Sequence, residues 1–108
     1  MRKIKVIVKR PDERYGHVCN ISDSLKNLQN TVGGYIEAVE ISRSVDERPI
    51  LLICNEEGKL RNLPTNMYIG DEEIVGTIII CSAIGEDFAG LPDTFTLHQW
   101  KELVDENT

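Results

Sequence analysis

The chain has 108 residues, 41% of them apolar, and a net charge of −6. That length fits a single domain (1–108) able to bury its own core without staples. No run of about 18 apolar residues occurs, so no membrane span and no membrane partner are expected.

The three cysteines, Cys19, Cys54 and Cys81, are far apart and lack CxxC spacing. Buried free thiols in a reducing, cytoplasmic compartment are the expectation. His17 and Cys19 form a lone H-x-C pair, short of the four clustered ligands that zinc needs, so no metal is expected.

Charge is distributed unevenly. Residues 1–14 hold six Lys/Arg against two Asp/Glu, and residues 71–108 hold one against nine. This polarity suits a self-complementary or ligand-steering surface, and equally a plain solvated exterior. It does not suit nucleic acid: no basic stripe with interleaved aromatics is present, and Trp100 is the only Trp.

In chain order, Lys3 to Lys9 alternates Ile4, Val6 and Val8 against Lys3, Lys5 and Lys9, with Ile7 as the apolar exception on the polar side. That is a strand pattern. "RYGHVCNI" (14–21) reads as its hairpin partner, joined through Pro11 and Asp12. A helix follows over about 22–33. Ser22 or Asp23 can cap it, Leu25, Leu28 and Val32 form its apolar stripe, and Gly33 suits its left-handed end. "YIEAVEIS" (35–42) and "PILLICN" (49–55) read as strands, the second central because it is apolar on both faces. Gly58 suits a tight turn at 56–58 through positive φ. The loop that follows leads into a short strand reaching Ile69, then a buried strand over 73–83. A C-terminal helix over about 94–106 presents Leu97, Trp100, Leu103 and Val104. Strands without regularly alternating crossover helices predict an α+β fold, mostly antiparallel sheet.

The ligand-binding candidates gather around "VGGYIE", "NEEGKLRNLPTN" and "VGTI". Gly33 and Gly34 allow close backbone approach. The helix C-terminus there repels anions, so a phosphate would turn to Lys59 and Arg61, which share a face if the chain is extended. Asn55, Asn62 and Asn66 offer paired donors and acceptors for a base edge or a ribose. Tyr35 offers a stacking face and a hydroxyl, and Thr77 a further hydroxyl. The same residues have plainer roles: a helix stop, an edge core ring, turn asparagines and solvent-facing charges.

Enzyme chemistry finds little support. There is no P-loop, no G-x-G-x-x-G and no G-x-S-x-G, so neither a cofactor nor a catalytic residue is assigned. Glu56 and Glu57 are adjacent acids on a turn, where solvation is the usual state.

The segments "LQNTVGGYIEAVEI" (28–41), "LICNEEGKLRNLPTN" (52–66), "IVGTIII" (74–80) and, more loosely, "FAGLPD" (88–93) resemble an uncharacterised family of phages and mobile elements, the domain of unknown function three-eight-four-six. The basic first strand and "HVCNI" depart from that pattern. The resemblance brings no activity and no catalytic residues. It implies a small protein made in the bacterial host cytoplasm during infection or plasmid transfer.

Two kinds of action fit. One is a non-enzymatic sponge that counteracts host defence by sequestering a nucleotide-derived signal, such as a cyclic dinucleotide or an ADP-ribose derivative. Formation of a homo-oligomer would help it build a cleft, and the apolar "TIIIC" and "PILLIC" strands could leave an edge for two-fold pairing. The other is an acidic inhibitor of a host defence protein, at the extreme a DNA mimic, carried by Glu86, Asp87 and Asp93 in the C-terminal third.

Overall fold

The computed structural model describes residues 2–108. Eight strands and two helices follow in the order β1 (Lys3–Lys9), β2 (His17–Ser22), α1 (Leu25–Val32), β3 (Ile36–Arg43), β4 (Pro49–Asn55), β5 (Thr65–Ile69), β6 (Glu72–Val75), β7 (Ile78–Ile84), β8 (Asp87–Ala89) and α2 (Leu97–Glu106). The fold is α+β and every strand pairing is antiparallel. The main sheet runs β2-β1-β7-β4-β3, with β8 also paired to β7, and β5 and β6 form a separate hairpin.

Alternation along the central strands feeds two cores, because successive side chains of a strand point to opposite faces. On one face Leu28 and Val32 of α1 pack with Ile4, Val6, Val8, Ile53, Ile79 and Cys81. On the other, Trp100 and Val104 of α2, with Met67 and Ile74 of the hairpin, cover Ile7, Ile50, Leu52, Ile78 and Ile80. Each fully buried large apolar side chain here stabilises by about 1.5–3 kcal/mol. Trp100, fully buried, still needs a partner for its ring N–H, and Nε1 donates to the Tyr15 carbonyl at 2.7 Å.

Several expectations need correction. The face of β1 that carries lysines is not a solvent face throughout. Ile7 belongs to the α2-side core, and Lys9 is only 2% exposed. The apolar run over 73–83 is not one strand. Gly76, at φ +78°, breaks it, so β6 pairs with β5 while β7 enters the main sheet. "TIIIC" and "PILLIC" leave no edge, since β7 and β4 are interior and the free edges belong to β2 and β3. Ser24, rather than Ser22 or Asp23, caps α1 by accepting the Asn27 N–H at 3.2 Å. Asp23 instead pairs with Arg2.

The charge asymmetry of the sequence is partly resolved within the molecule. Lys5 lies 3.5 Å from Asp93 and Arg14 lies 2.7 Å from Asp105, joining the basic first segment to the acidic last third. Such exposed pairs are worth about 0–1 kcal/mol each.

Candidate functional site

The site begins where α1 stops. Gly33 takes φ +84°, the left-handed conformation that favours glycine, and its N–H returns to the Gln29 carbonyl at 2.8 Å. Gly34 is needed for a different reason. A Cβ there would lie 2.8 Å from Asn55 Nδ2 and 3.2 Å from Arg61 Nη1. Those two side chains satisfy carbonyls that a helix end leaves without partners. Asn55 Nδ2 donates to the Val32 carbonyl at 3.2 Å, and Arg61 Nη1 to the Gly33 carbonyl at 2.7 Å. Asn55 Oδ1 accepts the Glu57 N–H at 2.8 Å, so one buried amide ties the end of β4 to the end of α1.

The loop after β4 is coiled rather than extended. Arg61 N–H donates to the Glu57 carbonyl, Asn62 N–H to Lys59 and Leu63 N–H to Gly58, at 3.0–3.1 Å. The last two bonds form the pair that closes many helices, with Asn62 at φ +55° as the left-handed residue and Pro64 just beyond. Two expectations fall with this geometry. Gly58 is not at positive φ; it is glycine because a Cβ would lie 2.6 Å from Val75 Cγ2. Lys59 and Arg61 do not share a face, because residues two apart on a helical turn diverge. Arg61 turns to Gly33, while Lys59 Nζ approaches Glu72 Oε2 at 3.8 Å.

Two recesses result. The larger, about 430 Å3 and open, is lined by Gln29, Asn30, Gly33, Gly34, Tyr35 and Glu57. Tyr35 is 65% exposed at its rim, so its ring is available as a flat surface. The smaller, about 120 Å3, holds Lys59 among Glu37, Glu56, Glu72 and Glu73, with Cys54 in its wall. Burial, reinforced by Glu37, pushes the Cys54 thiol up to about 11. No group of three or more His, Cys, Asp or Glu side chains that could hold a metal ion occurs among the described residues.

The chain matches the family model described as Domain of unknown function (DUF3846) over residues 4–105. It belongs to that family. No curated protein and no solved structure gives a match.

Within this DUF3846 domain, Gly33, Gly34, Tyr35, Asn55 and Arg61 therefore meet at one corner, and Lys59 and Asn62 lie on the loop that covers it. Asn66 does not join them. Its Nδ2 donates to the Lys9 carbonyl at 2.9 Å and to the Gly76 carbonyl at 2.8 Å. Its Oδ1 and its own carbonyl accept Lys9 Nζ at 2.7 and 3.2 Å. Burial lowers the Lys9 pKa, since the charged amine is taken from water. Thr77 follows Gly76 at the bend between β6 and β7 and lines neither recess. Gln29, Asn30 and Glu57 line the larger recess without having been singled out. For the first two a signal exists in the polar residues of the helix turn just before the double glycine.

Proposed function

We propose that this domain is a non-enzymatic binding protein of a phage or mobile element, and that it counteracts host defence by sequestering a nucleotide-derived signal at the Tyr35 recess. One observation carries the reading: the exposed Tyr35 ring lines an open recess, and the Arg61 guanidinium, though not itself in the lining, is anchored on the carbonyl of Gly33, which is. A base stacks on the phenol, with the Gln29 and Asn30 amides as partners for its edge or for a ribose. Arg61 commits Nη1 to Gly33 and keeps its other donors for phosphate oxygens at the rim. Among the described residues no carboxylate lies within ion-pair distance of Arg61. Lys59, drawn into the acidic recess, is left out of the phosphate contact. The setting is the one that the family resemblance implies.

The thiols give catalysis no ready nucleophile. Burial raises the pKa of all three, Cys54 to about 11, Cys81 to about 12 and Cys19 above its ordinary value, whereas the reactive form is the thiolate. The reading as an acidic inhibitor of a host defence protein keeps Glu86 and Asp87 as exposed carboxylates, while Asp93 is paired with Lys5 at 3.5 Å; the Tyr35 recess, with its exposed ring, is the better-defined feature.

The test is a thermal-shift panel of cyclic dinucleotides and ADP-ribose derivatives on the parent, Tyr35→Ala and Lys59→Ala. A true ligand at about 100-fold over its Kd adds roughly 2.7 kcal/mol of stability. The parent and Lys59→Ala should gain it and Tyr35→Ala should not. Equal gains in all three proteins would remove this site.

A further inference from the structure

The main sheet ends in two edges of different chemistry. β3 carries Glu37, Glu40 and Arg43, and its register is irregular between Glu40 and Ser42. Charges and bulges are the usual means by which an edge avoids recruiting another strand. β2 has neither. "HVCNIS" contains no carboxylate, Lys, Arg or Pro, and its register against β1 is unbroken from His17 to Ser22.

The direction of its backbone groups follows from one hydrogen bond. Asp23 N–H donates to the Arg2 carbonyl at 3.2 Å. In an antiparallel ladder hydrogen-bonded pairs alternate, so His17, Cys19 and Ile21 face β1, while Val18, Asn20 and Ser22 turn their N–H and C=O groups to the open side. The Ser22 carbonyl already accepts Asn27 Nδ2 at 3.1 Å. The open groups are those of Val18 and Asn20, both exposed residues.

We propose that β2 pairs antiparallel with β2 of a second copy of this chain, about a two-fold axis through Cys19. An axis normal to the sheet must pass through a residue to oppose residues that share a face, and the two central residues of β2, which give the longest overlap, are Cys19 and Asn20. The Asn20 axis would oppose Val18 to Ser22, whose carbonyl is occupied. The Cys19 axis opposes Val18 to Asn20 on both sides and uses only open groups. Cys19 then faces its counterpart in a non-hydrogen-bonded pair, at a Cα separation of about 4.5 Å, within disulfide reach. No lysine, arginine or carboxylate of one β2 meets another. On the α1 face Cys19 and Ile21 lie against the Leu28–Val32 cluster, and α1 reaches β2 at the strand's C-terminal end, where Asn27 bonds the Ser22 carbonyl, so the half of the edge that carries Val18 and Asn20 keeps its open groups. The two β2-β1-β7-β4-β3 paths become one sheet of ten strands. Its outer edges, where the Tyr35 recesses lie, stand roughly 43 Å apart at about 4.8 Å per strand. Each recess is then complete within its own subunit.

The test is sedimentation of the full chain across a concentration series, with mild copper–phenanthroline oxidation and peptide mapping of the products. Cys54 and Cys81 are buried, so Cys19 is the reporting thiol. The expected mass rises to roughly twice 12.2 kDa, and oxidation traps a Cys19–Cys19 disulfide. The V18E/N20E double variant places like charges against each other, keeps the thiol, and should be monomeric and untrapped. Ala38→Glu, on the β3 edge, should dimerise as the parent does. Should V18E/N20E lose its near-ultraviolet circular dichroism, Asn20→Pro removes the outward N–H instead and carries the same expectation. A parent that stays monomeric, a dimer that survives V18E/N20E, or one lost in Ala38→Glu would overturn the pairing.

Discussion

Asn55 and Asn66 stand at the two ends of one loop, and both direct their amides to backbone carbonyls. Asn55 closes the end of α1 at the rim of the recess, where every partner is neutral. Asn66 lies at the junction between the main sheet and the β5–β6 hairpin, where it also accepts a buried ammonium. A neutral hydrogen bond contributes about 0.5–1.5 kcal/mol net, and one to a charged group about 1.5–3 kcal/mol. Identical residue types on one loop thus differ in consequence through the charge that each must satisfy. The anchor far from the recess holds the molecule together more strongly than the one beside it.

The largest expected effect follows directly. Asn66→Ala should cost about 3–4 kcal/mol in urea denaturation, because it leaves the Lys9 ammonium only the longer bond to the residue-66 backbone carbonyl and removes the amide donor from two further carbonyls. The double variant Lys9→Met/Asn66→Ala should cost less than the sum of its singles by at least about 1 kcal/mol, since the methionine removes the under-satisfied charge. Additive losses would mean that Lys9 and Asn66 are not coupled.

Asn55→Ala should cost about 2 kcal/mol, reflecting an unsatisfied Val32 carbonyl and a lost loop contact. A loss as large as that of Asn66→Ala would erase the contrast between the two ends.

Alkaline pH sharpens the same comparison. Lys9 has a folded-state pKa below its ordinary 10.5. As pH rises from that lowered value towards 10.5, the unfolded chain holds the extra proton and Lys9 adds stability. The cost of Asn66→Ala should therefore shrink over that window, while the cost of Asn55→Ala stays constant. Cys54 and Cys81 act in the opposite sense. Their folded-state values are raised from 9.0 to about 11 and about 12, so stability is intact below pH 9 and falls as pH climbs past it. That loss is common to the parent and both variants and cancels from the differences. Urea midpoints at pH 7 and pH 10 supply the comparison.

The smallest effect belongs to Tyr35→Ala. With the ring 65% exposed, stability should change by less than about 0.5 kcal/mol. A drop above 1 kcal/mol in a urea melt would give the ring a structural role.

These contrasts show which features were legible in the sequence. The strands of the central sheet were, because "KIKVIVK", "PILLIC" and "TIIIC" are β-rich apolar runs bounded by turn residues. The helices were, through stripes such as Leu28 and Val32 followed by Gly33. The break at Gly76 was not, because apolar residues flank it on both sides and the change of sheet depends on Leu63, whose Cδ1 lies 2.9 Å from where a Cβ would stand. The burial of Lys9 was hidden for a similar reason: its partner lies 57 residues further along the chain. The corner was half legible. The double glycine and the loop do meet, but the coiling of 57–63 sends Lys59 into the acidic recess and Arg61 to the Gly33 carbonyl, which strict alternation could not foresee.

The most direct test of the Tyr35 recess is residue-resolved 1H–15N chemical-shift mapping during titration with ADP-ribose and cyclic dinucleotides. The proposed function predicts saturable shifts at Gln29 to Tyr35 and Glu57 to Arg61, with Lys9, Asn66 and Thr77 unmoved. Saturable shifts confined to the Lys59–Glu72 recess or to the Lys9–Asn66 junction, or none with any of these ligands, would contradict it.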